Sequence, residues 1–193
     1  GRVIFLEDVL NKAVEQTRKI IEEKNVNTEN IDQTAKDVGI GAVVFNELSN
    51  YRIKDYVFSW DKVLNFEGET GPYVQYTHAR ACSILRRAGE DTVKAAKKGF
   101  DTSWITGESA HHLIKLLYAL PEVIKEAGEK YEPSIVTRHI VDIAQGFNKF
   151  YHDEHILVED EKEKTAKVAL VLAVQTAIKN GLGLLGMKAP EKM

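Results

Sequence analysis

The stretch Gly71-Pro72-Tyr73-Val74-Gln75-Tyr76-Thr77-His78-Ala79-Arg80 carries the residues of this chain best suited to chemistry. Gly-Pro starts a helix, because the fixed φ of proline suits the first turn and its missing N–H is no loss there. On that helix Tyr73, Tyr76, Arg80, Ser83 and Arg87 fall at i, i+3, i+7, i+10 and i+14, one continuous stripe. Val74, Ala81, Leu85 and Ala88 fall on a different stripe, which gives the helix a separate apolar face to bury. Aromatic plates stack on unpaired bases, and guanidinium groups grip phosphate or hydrogen-bond a base edge. Spacing alone equally allows tyrosines half-buried at a bundle seam beside solvated arginines, the commoner use of an aromatic stripe.

A second group that could do chemistry is histidine: His111-His112, His139, and His152-Asp153 followed by His155. Imidazole and carboxylate ligands on separate helices would suit a divalent metal, as in HD-type phosphohydrolases, with Asp142 or Asp160 as a further ligand. An adjacent His-Asp pair is common by chance, and histidines near helix ends serve more often as surface or capping groups. Cys82, the single cysteine, cannot form an internal disulfide and reads as a small packing residue suited to a reducing cytosol. No glycine-rich phosphate loop and no strand-turn-helix nucleotide site is present. A plain helical interaction module is the third reading that the residues permit.

Charge sets limits on these readings. The net charge of −3 is unusual for a nucleic-acid footprint, which is generally basic. The cations are nevertheless concentrated: Arg80, Arg86, Arg87, Lys94, Lys97 and Lys98 follow one another closely, while acids gather at Glu122–Glu132 and Glu154–Glu163. Arg87, Lys94, Lys97 and Lys98 are candidate phosphate contacts, although each alone is an ordinary solvated side chain. No apolar run approaches the roughly 20 residues that a membrane span needs. With 193 residues, the chain can bury a core as one domain or as one domain plus an appendage. Its start at Gly-Arg inside an amphipathic pattern reads as a piece of a longer protein.

The elements that must hold these residues are helical almost throughout. Leu6, Leu10, Val14, Thr17 and Ile21 mark a first helix, followed by a polar turn over Lys24–Asn30. A second is expected from about Ile31 to Leu48; Gly39 and Gly41 inside it point to close packing against another backbone. Tyr51–Gly71 reads as irregular, with Phe58, Trp60 and Phe66 as an apolar plug under a long loop. The helix that starts near Tyr73 is expected to run to a break at Gly99–Gly107. Leu113, Leu116, Leu117 and Leu120 mark the next, which Pro121 should end or kink, with helix resuming through Ala127. Beyond Pro133, the spacing of Val136, Ile140, Ile143, Phe147 and Phe150 is that of a coiled-coil seam. A last helix spans Glu159–Lys179, with Gly181 as its C-cap. The fold expected is all-α: a helical bundle over 67–193 preceded by a smaller helical appendage over 1–66.

The segment from Gly39 to Arg87 resembles the arginyl-tRNA synthetases, whose catalytic domain leads into a helical anticodon-binding domain at GPYxQYxHxR. The likeness continues through Phe147-Asn148-Lys149-Phe150-Tyr151-His152-Asp153, then Lys179-Asn180-Gly181-Leu182-Gly183-Leu184-Leu185-Gly186, and the ending Ala189-Pro190-Glu191-Lys192-Met193. Gly1–Asp8 resembles the residues just after that family's KMSKS-type loop, and the likeness is weakest over Asp91–Glu132. The resemblance implies an anticodon-loop pocket built by Tyr73, Tyr76, Arg80, Tyr151 and Met193. It implies arginine tRNA as partner, together with catalytic and N-terminal domains of the same protein, in the cytoplasm. ATP and Mg2+ would be used by those other domains; the chain itself would carry no cofactor, no metal and no catalytic residue. Every arginine anticodon has C in the middle, so a single cytosine pocket would serve all isoacceptors. Cytosine offers an N4 donor and N3 and O2 acceptors. Arg80 could donate to the acceptors, a main-chain carbonyl near Met193 could accept from N4, and a tyrosine could stack on the ring.

Overall fold

A computed structural model describes residues 4–23 and 30–193. The expected polar turn at Lys24–Asn30 falls, up to position 29, outside the described residues, as do the first three residues of the family-like opening. The described residues form eight α-helices and no strand: α1 (Leu6–Glu23), α2 (Ile31–Ser49), α3 (Trp60–Val63), α4 (Gly71–Ala88), α5 (Glu90–Lys98), α6 (Glu108–Lys130), α7 (Ser134–Asp153) and α8 (Glu161–Leu184). A 3₁₀ turn, Thr102–Trp104, precedes α6.

The bundle is built on α7. Val136, Ile140, Ile143, Phe147 and Phe150 are all buried, as their seam spacing requires. α6, α8 and α4 all pack against α7, and α8 also packs against α4 and α6. Each large side chain buried there contributes about 1.5–3 kcal/mol relative to exposure. Ahead of the bundle, α1 and α2 pair as a hairpin. A second, smaller core holds Ala13, Ala42, Val43, Val63 and Leu64, with Phe58 and Trp60 packed edge to face over it at 4.9 Å. These two aromatics form the anticipated plug, whereas Phe66 lines a cleft instead. Phe45 crosses from α2 into the main core, so the appendage and the bundle share packing. Gly39 explains the close pairing of α1 and α2: a Cβ there would stand 2.8 Å from the Ala13 carbonyl oxygen.

Two expectations about element limits are corrected, and two others about these helices are refined. Leu6 is exposed, and Ala13 takes its place on the buried stripe of α1. The helix from Gly71 does not continue to Lys98; it stops at Gly89, whose φ of 84° lies in the left-handed region, and α5 starts afresh. At Pro121 the helix does not end: α6 continues through Ala127 to Lys130, with Leu113, Leu120 and Ala127 buried on either side of the proline. The last helix runs on through Gly181, which lies in its interior against Ile140. The C-terminal turn comes instead at Gly186, with φ 74°. There the Met187 N–H bonds to the Leu182 carbonyl at 2.9 Å and the Gly186 N–H to the Gly183 carbonyl at 3.0 Å. This is the double bond pattern of a Schellman cap.

Candidate nucleic-acid interface

Thr70 caps α4 by accepting from the Tyr73 N–H at 3.2 Å, and Pro72 occupies the first turn, so the helix start is fixed. From there α4 divides its residues by face. Val74, Ala81 and Ile84 are buried in the core, while Tyr76 is exposed and Tyr73 and Arg80 are half-buried. α7 presents Asn148 and Tyr151, about one turn apart, towards the same place, each one residue after the buried Phe147 and Phe150. The Tyr151 ring lies 6.4 Å from that of Phe147, so its base is seated on the core and its outer half is open to solvent.

Arg80 is the centre of the arrangement. Its guanidinium carbon lies 5.0 Å from the centre of the Tyr76 ring and 5.4 Å from that of Tyr151. A cation between two aromatic rings is held by their negative faces. One Nη1–H donates to Asn148 Oδ1 at 2.6 Å. The amide of Asn148 then donates to the Tyr73 hydroxyl at 2.9 Å and to Thr77 Oγ1 at 3.3 Å. Asn148 therefore uses both ends of its amide to orient Arg80 and Tyr73 at once.

Tyr73, Tyr76, Arg80, Asn148 and Met193 line one cleft of about 790 Å³, with Asn65, Phe66 and Glu67 among the residues on its other wall. Apolar surface predominates in its walls, with polar groups from Asn65, Glu67, Tyr73, Arg80 and Asn148 among them, a mixture that suits a flat heterocycle. A smaller depression of about 330 Å³ adjoins it, lined by Tyr76, Arg80, Ser83, Arg86, Lys192 and Met193. Arg86 in turn borders a third hollow of about 500 Å³ that Lys94 and Lys97 share. Cationic side chains thus follow the cleft along α4 to α5.

Of the expected site residues, the structure brings Tyr73, Tyr76, Arg80, Tyr151 and Met193 together. The candidate phosphate contacts Arg87, Lys94, Lys97 and Lys98 are all exposed. Lys94 is paired with Glu90 at 3.0 Å, and Arg86 rather than Arg87 borders the hollows leading from the cleft. Asn148 and Arg86 were not among the expected site residues. Asn148 sits inside the motif around Tyr151, but only the three-dimensional pairing of α4 with α7 reveals its role.

The histidines do not converge. His139 is buried and bonded through Nε2 to the Leu116 carbonyl at 2.8 Å, His111 and His112 are exposed on α6, and His152 pairs with its neighbour Asp153. Among the described residues, no three His, Cys, Asp or Glu side chains are placed to hold a metal ion together. The phosphohydrolase reading is not favoured. Among those residues, too, no helix is long and apolar enough to cross a membrane.

The family model for the DALR anticodon binding domain matches residues 74–193, and that for the catalytic domain of class I (R) tRNA synthetases matches residues 1–60. Over all 193 residues the chain is 57% identical to a protein of Halothermothrix orenii named arginine–tRNA ligase, of which it covers 33%. It is 51% identical to a protein of the same name from Clostridioides difficile, again covering 33% of it. In three dimensions it is similar to the arginyl-tRNA synthetase of Thermus thermophilus, with a TM-score of 0.90 and 33% identity over 99% of this chain and 32% of that one. The chain spans about a third of the length of the curated relatives it matches.

Proposed function

The chain belongs to the DALR anticodon-binding domain family, and on that premise we propose that it is the tRNA-reading part of an arginine–tRNA ligase. In this reading the cleft takes the unstacked central base of the anticodon, a cytosine in every arginine tRNA. The observation that carries it is the seating of Arg80 between Tyr76 and Tyr151, with Asn148 fixing its direction. A guanidinium held this way has N–H groups left for the N3 and O2 acceptors of cytosine. A carbonyl of the tail near Met193 accepts from N4, and the rings of Tyr73, Tyr76 and Tyr151 are the candidate stacking partners. Uracil carries an acceptor where cytosine has its N4 donor and a donor at N3, so the same groups reject it.

Around the cleft, Lys94 and Lys97 follow the sugar-phosphate chain and add grip without sequence preference. Arg87 and Lys98 extend the same positive edge. Activation of arginine with ATP and magnesium, the aminoacyl transfer and a cytoplasmic setting belong to the full-length protein, whose other domains are this chain's covalent partners. The residues that we place in the cleft take no part in that chemistry. Binding of full-length protein to arginine tRNA and to the same tRNA with a changed middle anticodon base tests the proposal. A preference for C at that position is expected; equal affinity would contradict it.

A further inference from the structure

Behind the cleft, α4 has a second polar edge that never meets solvent. Gln75 and His78 are fully buried there. The Gln75 amide donates to the carbonyls of Lys188 at 2.9 Å and of Asp37 at 3.1 Å. His78 Nδ1 lies 2.9 Å from the Pro190 carbonyl oxygen. About two turns further along the helix, Arg86 donates to the Glu191 carbonyl at 3.2 Å. A carbonyl can only accept, so His78 carries its proton on Nδ1. Nε2 is then an acceptor, and the Gln175 amide nitrogen faces it at 3.2 Å. Three side chains of one helix thus hold three carbonyls of the segment that follows Gly186. All three bonds go to main chain, which fixes the path of the segment rather than the identity of its side chains.

We propose that His78, with Gln75 and Arg86 on either side of it, is a positioning residue for base recognition that laces residues 188–193 along α4 and so seats Met193 at the cleft. The inference rests on the reading of that cleft as a cytosine pocket. The tail has no helix of its own beyond α8. Unlaced, its residues would recover the backbone freedom that these bonds remove. The carbonyl near Met193 would then meet N4 only part of the time, and discrimination would fall with that fraction. His78 touches no base. It acts through the tail.

Two substitutions separate lacing from mere filling of space. In His78→Asn the amide nitrogen stands where Nδ1 stands, one bond beyond Cγ, and can still donate to Pro190. In His78→Gln the amide lies one bond further out, near the place of Nε2, and the donor to Pro190 is lost although the volume is closer to histidine. Full-length protein is titrated with arginine tRNA and with its middle-U counterpart, and hydrogen exchange is followed at the amides of the tail. His78→Asn should keep the wild-type preference for C, whereas His78→Gln should lose at least about fivefold of it, the size of a modest base contact. Tail amides should exchange faster in His78→Gln alone, with α7 unchanged. Should His78→Gln fail to fold, Arg86→Ala, at an exposed position, should narrow the preference in the same direction. A preference that both His78 variants keep in full, or uniform weakening of both RNAs by Arg86→Ala, overturns the inference alone. A wild type without preference overturns the reading of the cleft, and the inference with it.

Discussion

Arg80 of α4 donates to Asn148 of α7 across 2.6 Å, and that bond joins the two helices that supply the tyrosines of the cleft. Because Asn148 also donates to the Tyr73 hydroxyl, one amide sets the direction of a cation and of an aromatic ring together.

Asn148→Ala should therefore disturb reading more than folding. Losing these bonds costs about 1–2 kcal/mol of stability, visible as a shift in the urea midpoint. Freed from its acceptor, Arg80 should lose part of its preference for cytosine, so the affinity gap between middle-C and middle-U tRNA should narrow. An unchanged gap beside a lowered midpoint would make Asn148 purely structural.

His78 gives the fold a pH dependence. Burial pushes its imidazole below the ordinary histidine range; the bond to the Pro190 carbonyl opposes this, Lys179 adds to the lowering and Glu191 opposes it. The unfolded chain takes up a proton near the ordinary value of about 6.5, while the folded chain stays neutral until lower pH. Between the two values the unfolded state binds more protons, so stability falls as the pH drops. It levels off below the folded value. Melting temperatures at pH 7.5 and 5.5 should differ more for the wild type than for His78→Asn, and equal differences would contradict this account.

The glycines of the helices make opposite predictions. Gly39→Ala puts a methyl group 2.8 Å from the Ala13 carbonyl oxygen and should cost about 1–3 kcal/mol, since the obstacle is backbone. Gly183→Ala in α8 meets no atom within 4 Å and should stabilise by about 0.5–1 kcal/mol. Chemical denaturation of both variants checks the pair, and similar effects at the two sites would show that helix propensity, not packing, governs them.

A division of the chain at residue 66 remains our proposal, and residues 67–193 expressed alone test it. The main core is assembled almost wholly from α4 to α8, so a cooperative thermal transition is expected. It should come at a lower temperature than for the whole chain, because Phe45 and the Asp37 carbonyl that Gln75 engages are missing. A broad, non-cooperative melt would contradict independent folding.

The all-α class and the seam of α7 were legible because apolar residues repeat at helical spacing and few turn signals interrupt them. The stripe of Tyr73, Tyr76 and Arg80 was legible for the same reason, as one face of one helix. Helix limits were read less well. Gly89 and Gly181 look alike in sequence; one adopts positive φ and ends α4, while the other sits under Ile140 inside α8. Only packing distinguishes them. Asn148, Gln75 and His78 were hidden for a related reason: their partners are distant in the chain, and a buried amide or imidazole next to a functional motif carries no sign of what it bonds.

The measurement that tests the account most directly is the binding of full-length protein carrying Arg80→Ala to cognate tRNA and to a tRNA with a substituted middle anticodon base. The affinity gap between them should shrink by about 1–3 kcal/mol, the worth of a specific base contact. Lys97→Ala, made beside it, should weaken both tRNAs alike and lower the salt dependence while leaving the gap intact. If Arg80→Ala leaves the gap unchanged, Arg80 is not the residue that reads the base, and the cleft between α4 and α7 is not the cytosine pocket.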